Sequence, residues 1–129
     1  MAILEIVAKD IQALVADSEV DFVPEFELKD FKNERVVIVP VGVQYSNLTR
    51  GTKEVLVNLE IGICKRIKEA ELPEMLDKVE KITTTLLNTQ LVNARGYIKE
   101  VINNPAYDVQ SMVSNGTFLT VLQVQVRVI

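Results

Sequence analysis

The stretch KEVLVNLEIGICKR, residues 53 to 66, alternates apolar and polar side chains so regularly that it restricts what the rest of the chain can build. Val55, Val57, Leu59, Ile61 and Ile63 fall on one face, and Glu54, Asn58, Glu60 and Arg66 on the other. A strand with one dry and one wet face belongs in an antiparallel sheet covered on one side. Apolar elements must therefore lie against the dry face, and the sequence offers two.

Ile3, Ile6, Val7, Ile11, Leu14 and Val15 recur three and four residues apart, the stripe of an amphipathic helix over 3–15. From 72 to 87, Leu72, Met75, Leu76, Val79, Ile82, Leu86 and Leu87 form a second such stripe. Pro73 suits its first turn, and Glu74/Lys78 and Asp77/Lys81 have the spacing of four-residue ion pairs. Between these helices the pattern breaks from Val20 to Phe31, where Phe22, Phe26 and Phe31 flank Pro24; an extended segment or loop folded over the core is expected. RVVIVP at 35–40 is β-branched and closes on proline, and VGVQYSNL continues extended past a bend at Pro40 and Gly42. TRGT at 49–52 reads as a turn.

After the second helix, GYIKEVIN, YDVQSMVS and the final TFLTVLQVQVRVI read as β-structure, with SNG at 114–116 as a tight hairpin turn. On the last strand Phe118, Thr120, Leu122, Val124, Val126 and Val128 point one way. The opposite face is apolar at Leu119 and Val121 but turns polar further along, so partial cover is expected there. The order helix, three strands, helix, two or three strands predicts one two-layer α+β domain over 1–129, an antiparallel or mixed sheet packed by two helices.

The same residues offer little to catalysis. There is no histidine among the 129 residues, which removes the commonest general base, the usual nucleophilic pairs and the commonest neutral metal ligand. Glu69, Glu71, Glu74, Asp77 and Glu80 mix with Lys65, Arg66, Lys68, Lys78 and Lys81, as on a solvated helix face. Cys64, the single cysteine, excludes an intrachain disulfide and reads as an inert structural thiol, although Lys65 and Arg66 adjoin it. The glycines are scattered and form no phosphate loop. No enzyme activity, cofactor or metal is expected.

A formal charge of −4 argues against a surface that neutralises phosphates. The N-terminus carries Glu5, Lys9 and Asp10 within its apolar pattern, unlike a signal peptide. VVIVPVGV at 36–43 is far too short to span a membrane, so a soluble protein with no membrane partner is expected.

Candidate contact residues gather in two stretches. Tyr45, Asn47, Arg50 and Lys53 surround the YSNLTRGTKE connection, where a projecting hairpin would carry them into solvent. Two readings fit: an ordinary solvated turn, or a loop that docks on a neighbouring subunit. Leu119 and Val121, on the partly covered face of the last strand, are apolar surface that a partner would use.

PEFELKD at 24–30, RVVIVP at 35–40, SNLTRGTKEV at 46–55, IGICKRI at 61–67 and EMLDKVEKI at 74–82 resemble the tail-terminator or tail-completion proteins of tailed bacteriophages. The resemblance spans roughly residues 1 to 90, and the last third matches only as strands of the expected kind. It implies an α+β subunit that forms a ring, commonly a hexamer, at the head-proximal end of the tail tube. The partners it implies are further copies of the chain, the tail tube protein and a head completion or neck protein, with DNA only as passing cargo in the lumen. The implied location is the virion tail or neck, and the host cytoplasm during assembly. On that reading Glu54 and Glu60 are candidate lumen or interface residues. A head-closure or connector subunit of the same neck is an alternative, and a small-molecule-binding regulatory module is another.

Overall fold

The computed structural model describes residues 2–21 and 34–128. Strands β1 (Ser18–Val20), β2 (Arg35–Thr49), β3 (Thr52–Arg66), β4 (Gln90–Leu91), β5 (Gly96–Ile102) and β6 (Thr117–Val128) form a single sheet in the order β1-β2-β3-β6-β5-β4. Only β1 and β2 run parallel; every other pair is antiparallel. Helices α1 (Ile3–Leu14) and α2 (Leu72–Leu87) cover one face, and α3 (Val109–Asn115) lies beside β6. The protein is thus α+β with a mixed sheet, as its periodicities require.

The dry face of β3 is buried from Val57 onward: Val57, Leu59, Ile61 and Ile63 are each at most 1% exposed, and Val55 is partly buried. It packs with Phe118, Leu122, Val124 and Val126 of β6 against Val7 and Ile11 of α1 and Met75, Val79 and Leu86 of α2. Each such aliphatic side chain contributes about 2 kcal/mol on leaving water. That sum is what lets a chain with so few aromatic residues hold two helices on a sheet. Pro73 stands in the first turn of α2, where its missing N–H costs nothing. Lys78 forms its ion pair with Glu34, ahead of β2, rather than with Glu74 one turn away.

The residues from 35 to 49 form one strand rather than two pieces. Register slips between Pro40 and Gly42, so Val41 bulges out and the strand continues paired with β3. A two-residue connection, Arg50 and Gly51, joins Thr49 to its partner Thr52, and Gly51 supplies the left-handed conformation at φ 92°. The phenylalanine segment lies outside the described residues. Just before it, Ser18–Val20 adds a short parallel strand on Val36–Ile38 that periodicity did not suggest.

The segment YDVQSMVS is the clearest departure from the sequence reading. Residues 109–115 are helix, not strand. The Asp108 carboxylate accepts from the backbone N–H groups of Gln110 and Ser111 at 3.1 and 3.4 Å and from the Ser111 hydroxyl at 3.0 Å, capping the first turn. Gly116, at φ 62°, closes the helix by donating its N–H to Met112 O at 3.1 Å. SNG is therefore a helix end and not a hairpin turn.

The C-terminal strand is central. Thr117–Val128 pairs along its length with β3, and Gln123–Val128 pairs on the other side with β5. Beyond β5 the edge of β6 is closed by the 103–108 loop: the Asp108 N–H donates to Leu119 O at 2.8 Å, and the Thr120 hydroxyl lies 2.6 Å from Ala106 O.

Candidate functional site

Registry separates the eight residues singled out from the sequence into two places. β6 ends at Val128, opposite Val55, so the β2–β3 ribbon runs on alone beyond that pair. Tyr45, paired with Val55, begins the projection and is 71% exposed. Asn47, Arg50 and Lys53 follow, all exposed, with Leu48 also 50% exposed. At the usual rise per residue the ribbon extends about 15 Å past the sheet. Arg50 and Lys53 have no ion-pair partner among the described residues.

Glu54 stands at the base of this ribbon, on the sheet face opposite α1 and α2. Arg127 Nη2 lies 3.9 Å from one of its oxygens and Lys99 Nζ 4.0 Å from the other. Arg127 also donates to the Tyr97 hydroxyl at 3.4 Å. These contacts set two cations, from β5 and β6, beside Glu54 at the ribbon's base.

Glu60, Leu119 and Val121 lie further along the same outer face. Cys64 faces Leu119, Gly62 faces Val121 and Glu60 faces Gln123. Glu60, Leu119 and Val121 share a hollow of about 610 Å³ with Pro105, Tyr107 and Val109. An adjoining hollow of about 260 Å³, which shares Glu60 and Gln123, extends toward Val41, Glu100 and Ile102. The combined trough has apolar surface at Val109, Val121 and Ile102, which are 58%, 40% and 42% exposed. Among the described residues its charged lining is Glu60, Glu100 and Asp108, with no lysine or arginine in either hollow. Asn58 and Gln125, joined by a 3.3 Å hydrogen bond, line the smaller hollow at its end toward the base of the ribbon.

Sequence reasoning named Glu60, Leu119 and Val121 but not the opposite wall, which comes from 105–109; of these, 107–109 belong to YDVQSMVS, the stretch read as β-structure. Asp10 was also missed, although an acid within the stripe Val7, Ile11, Leu14 signals a buried partner. Its carboxylate accepts the N–H groups of Asn93 and Ala94 at 3.1 and 2.7 Å and the Asn93 amide at 2.8 Å, tying α1 to the β4–β5 connection.

Cys64 is buried on the outer side of β3, its Sγ 3.9 Å from Arg35 O. Burial pushes its thiol above the ordinary value, against the opposing charge of Arg35. A buried thiol of raised pKa is a poor nucleophile. Among the described residues no three Cys, Asp or Glu side chains are placed to hold a metal ion, and no helix is long and apolar enough to cross a membrane.

No protein-family model matches the chain, and no curated protein matches it. Among solved structures, a chain of the virion of a native gene transfer agent particle matches with a TM-score of 0.48 and 15% sequence identity, over 98% of this chain and 91% of that chain. A likeness of that size carries no conclusion about role.

Proposed function

We propose that this chain is a tail terminator, a virion structural protein whose copies close into a hexameric ring on the head-proximal end of a phage tail tube. The reading is carried by the resemblance of the segments at 35–40, 46–55, 61–67 and 74–82 to that family. The fold gives these segments distinct places: 46–55 is the projecting ribbon, 61–67 ends the central strand β3, and 74–82 lies in α2. The fifth shared segment, 24–30, lies outside the described residues.

The arrangement suits a subunit that acts by contact. Helices α1 and α2 both pack on one sheet face, and among the described residues no long helix covers the outer face or the ribbon. Contacts between two different patches of identical subunits close into a ring when the rotation permits. One side of the ring then matches the last ring of tube protein, and occupying that site halts further addition. The other side receives the head completion protein. A net charge of −4 per subunit favours a lumen that repels the DNA backbone and lets DNA pass as cargo. The protein is accordingly assigned to the virion, reaching it from the host cytoplasm during assembly.

Deleting the gene tests this directly. Tails of uncontrolled length that fail to join heads are the expected result by electron microscopy. Tails of uniform, normal length that still join heads reject the assignment.

A further inference from the structure

The ribbon and the trough complement each other in shape class, polarity and charge. The ribbon tip carries Arg50 and Lys53 beside exposed Tyr45 and Leu48. Its one acid, Glu54, is already engaged by Arg127 and Lys99. The trough carries Glu60, Glu100 and Asp108 beside exposed Val109, Val121 and Ile102, with no basic side chain among the described residues of its lining. Within one molecule the trough ends at the Asn58–Gln125 pair, and the ribbon points away from it off the end of the sheet.

We propose that the ribbon tip of one copy docks in the outer-face trough of the next, with Arg50 and Lys53 over Glu60 and Glu100 and Tyr45 and Leu48 against Val121, Val109 and Ile102. The occupant of the trough is thus a second copy of this chain. This names the subunit contact of the ring proposed above and rests on that reading. The contact is heterologous: each copy offers a tip and a trough, so association continues past a dimer until it closes. Opposite charges at its rim set register and speed encounter, while the apolar side chains supply the buried area.

Two sets of variants test it. Arg50→Glu with Lys53→Glu, and separately Glu60→Lys with Glu100→Lys, each weaken self-association in light scattering by about tenfold or more, and an equimolar mixture of the two regains it. All four positions are outside the core, so circular dichroism of each variant matches that of the parent. Leu48→Cys with Val121→Cys in one chain gives, on mild oxidation, a covalent ladder longer than a dimer; either substitution alone gives none, since Cys64 is buried. A chain that stays monomeric at every accessible concentration and forms no ladder overturns the contact. So does a ring that persists unchanged in both charge-reversed variants, and this leaves the tail-terminator reading standing. That reading falls only with the tail-length test, whatever the ribbon does.

Discussion

Two buried side chains show how much single residues decide here. Val124 is 2% exposed and lies between Leu59 and Val101 in register, deep in the sheet–helix core. Val124→Asp puts a charge between the apolar Leu59 and Val101, and we expect a loss of about 3 kcal/mol or more, read by urea denaturation. Soluble protein of unchanged stability would mean that the faces of β6 are reversed. Cys64 gives a pH dependence whose sign follows from its environment. Burial raises its folded pKa, so the neutral thiol is the native form and the unfolded chain ionises first. The contribution of Cys64 is therefore complete below the ordinary thiol value of 9.0 and is lost as pH rises from there through the folded value. We expect alkaline destabilisation above pH 9.0 to be relieved in Cys64→Ala relative to its own neutral-pH stability, and a thiol reagent at pH 8 to react only upon unfolding. Rapid labelling of the native protein would contradict the burial.

At the scale of elements, legibility in the sequence followed length. Helices α1 and α2 and strand β3 were readable because a dozen or more residues repeat one period, and their ends fell close to the expected ones. α3 was not, since Val109, Met112 and Val113 in seven residues fit a strand about as well as a helix. Its type is decided by the caps, Asp108 and Gly116, whose hydrogen bonds act on the backbone and leave no periodic trace. Asp108→Ala removes an acceptor for two backbone N–H groups, and we expect a loss of about 1 kcal/mol. Because the same segment walls the trough, this substitution also weakens self-association, a readout that stability alone does not supply. The pairing of β5 with β6 has its own checkpoint at Gly96, where an added Cβ would stand 2.5 Å from Arg127 O and 3.2 Å from Val128 Cα. Both are backbone atoms that cannot swing aside. Gly96→Ala is expected to spread the strands, with faster amide exchange along Gly96–Ile102 than along the β3–β6 pairing. The faces of the candidate contact residues were legible in the same uneven way: strand alternation gave the outer-face placement of Glu54, Glu60, Leu119 and Val121, whereas Pro105, Tyr107 and Val109 reach that face through a loop and a helix start that carry no period.

For the molecule as a whole, a chain that ends on its most regular strand raises the question of whether that strand serves folding or assembly. Position in the sheet answers for folding, because β6 pairs with β3 on one side and β5 on the other. The part that projects is the β2–β3 ribbon, and it is dispensable to the core. Residues 47–53 are all exposed, and Ser46 already pairs with Glu54 across the ribbon. Replacing 47–53 by Asn-Gly shortens the ribbon to a two-residue hairpin of the favoured kind while leaving Glu54 with Arg127 and Lys99. No apolar core side chain is removed, so the melting temperature should move by no more than about 4 °C. The loss of Leu48, Arg50 and Lys53 takes away most of what the tip brings to a neighbour, so the shortened chain should fold, stay monomeric and fail to rescue tail length in a deletion background. A shortened chain that unfolds would make the ribbon part of the folding unit, contrary to its exposure. One that folds and still assembles would move the subunit contact to another surface.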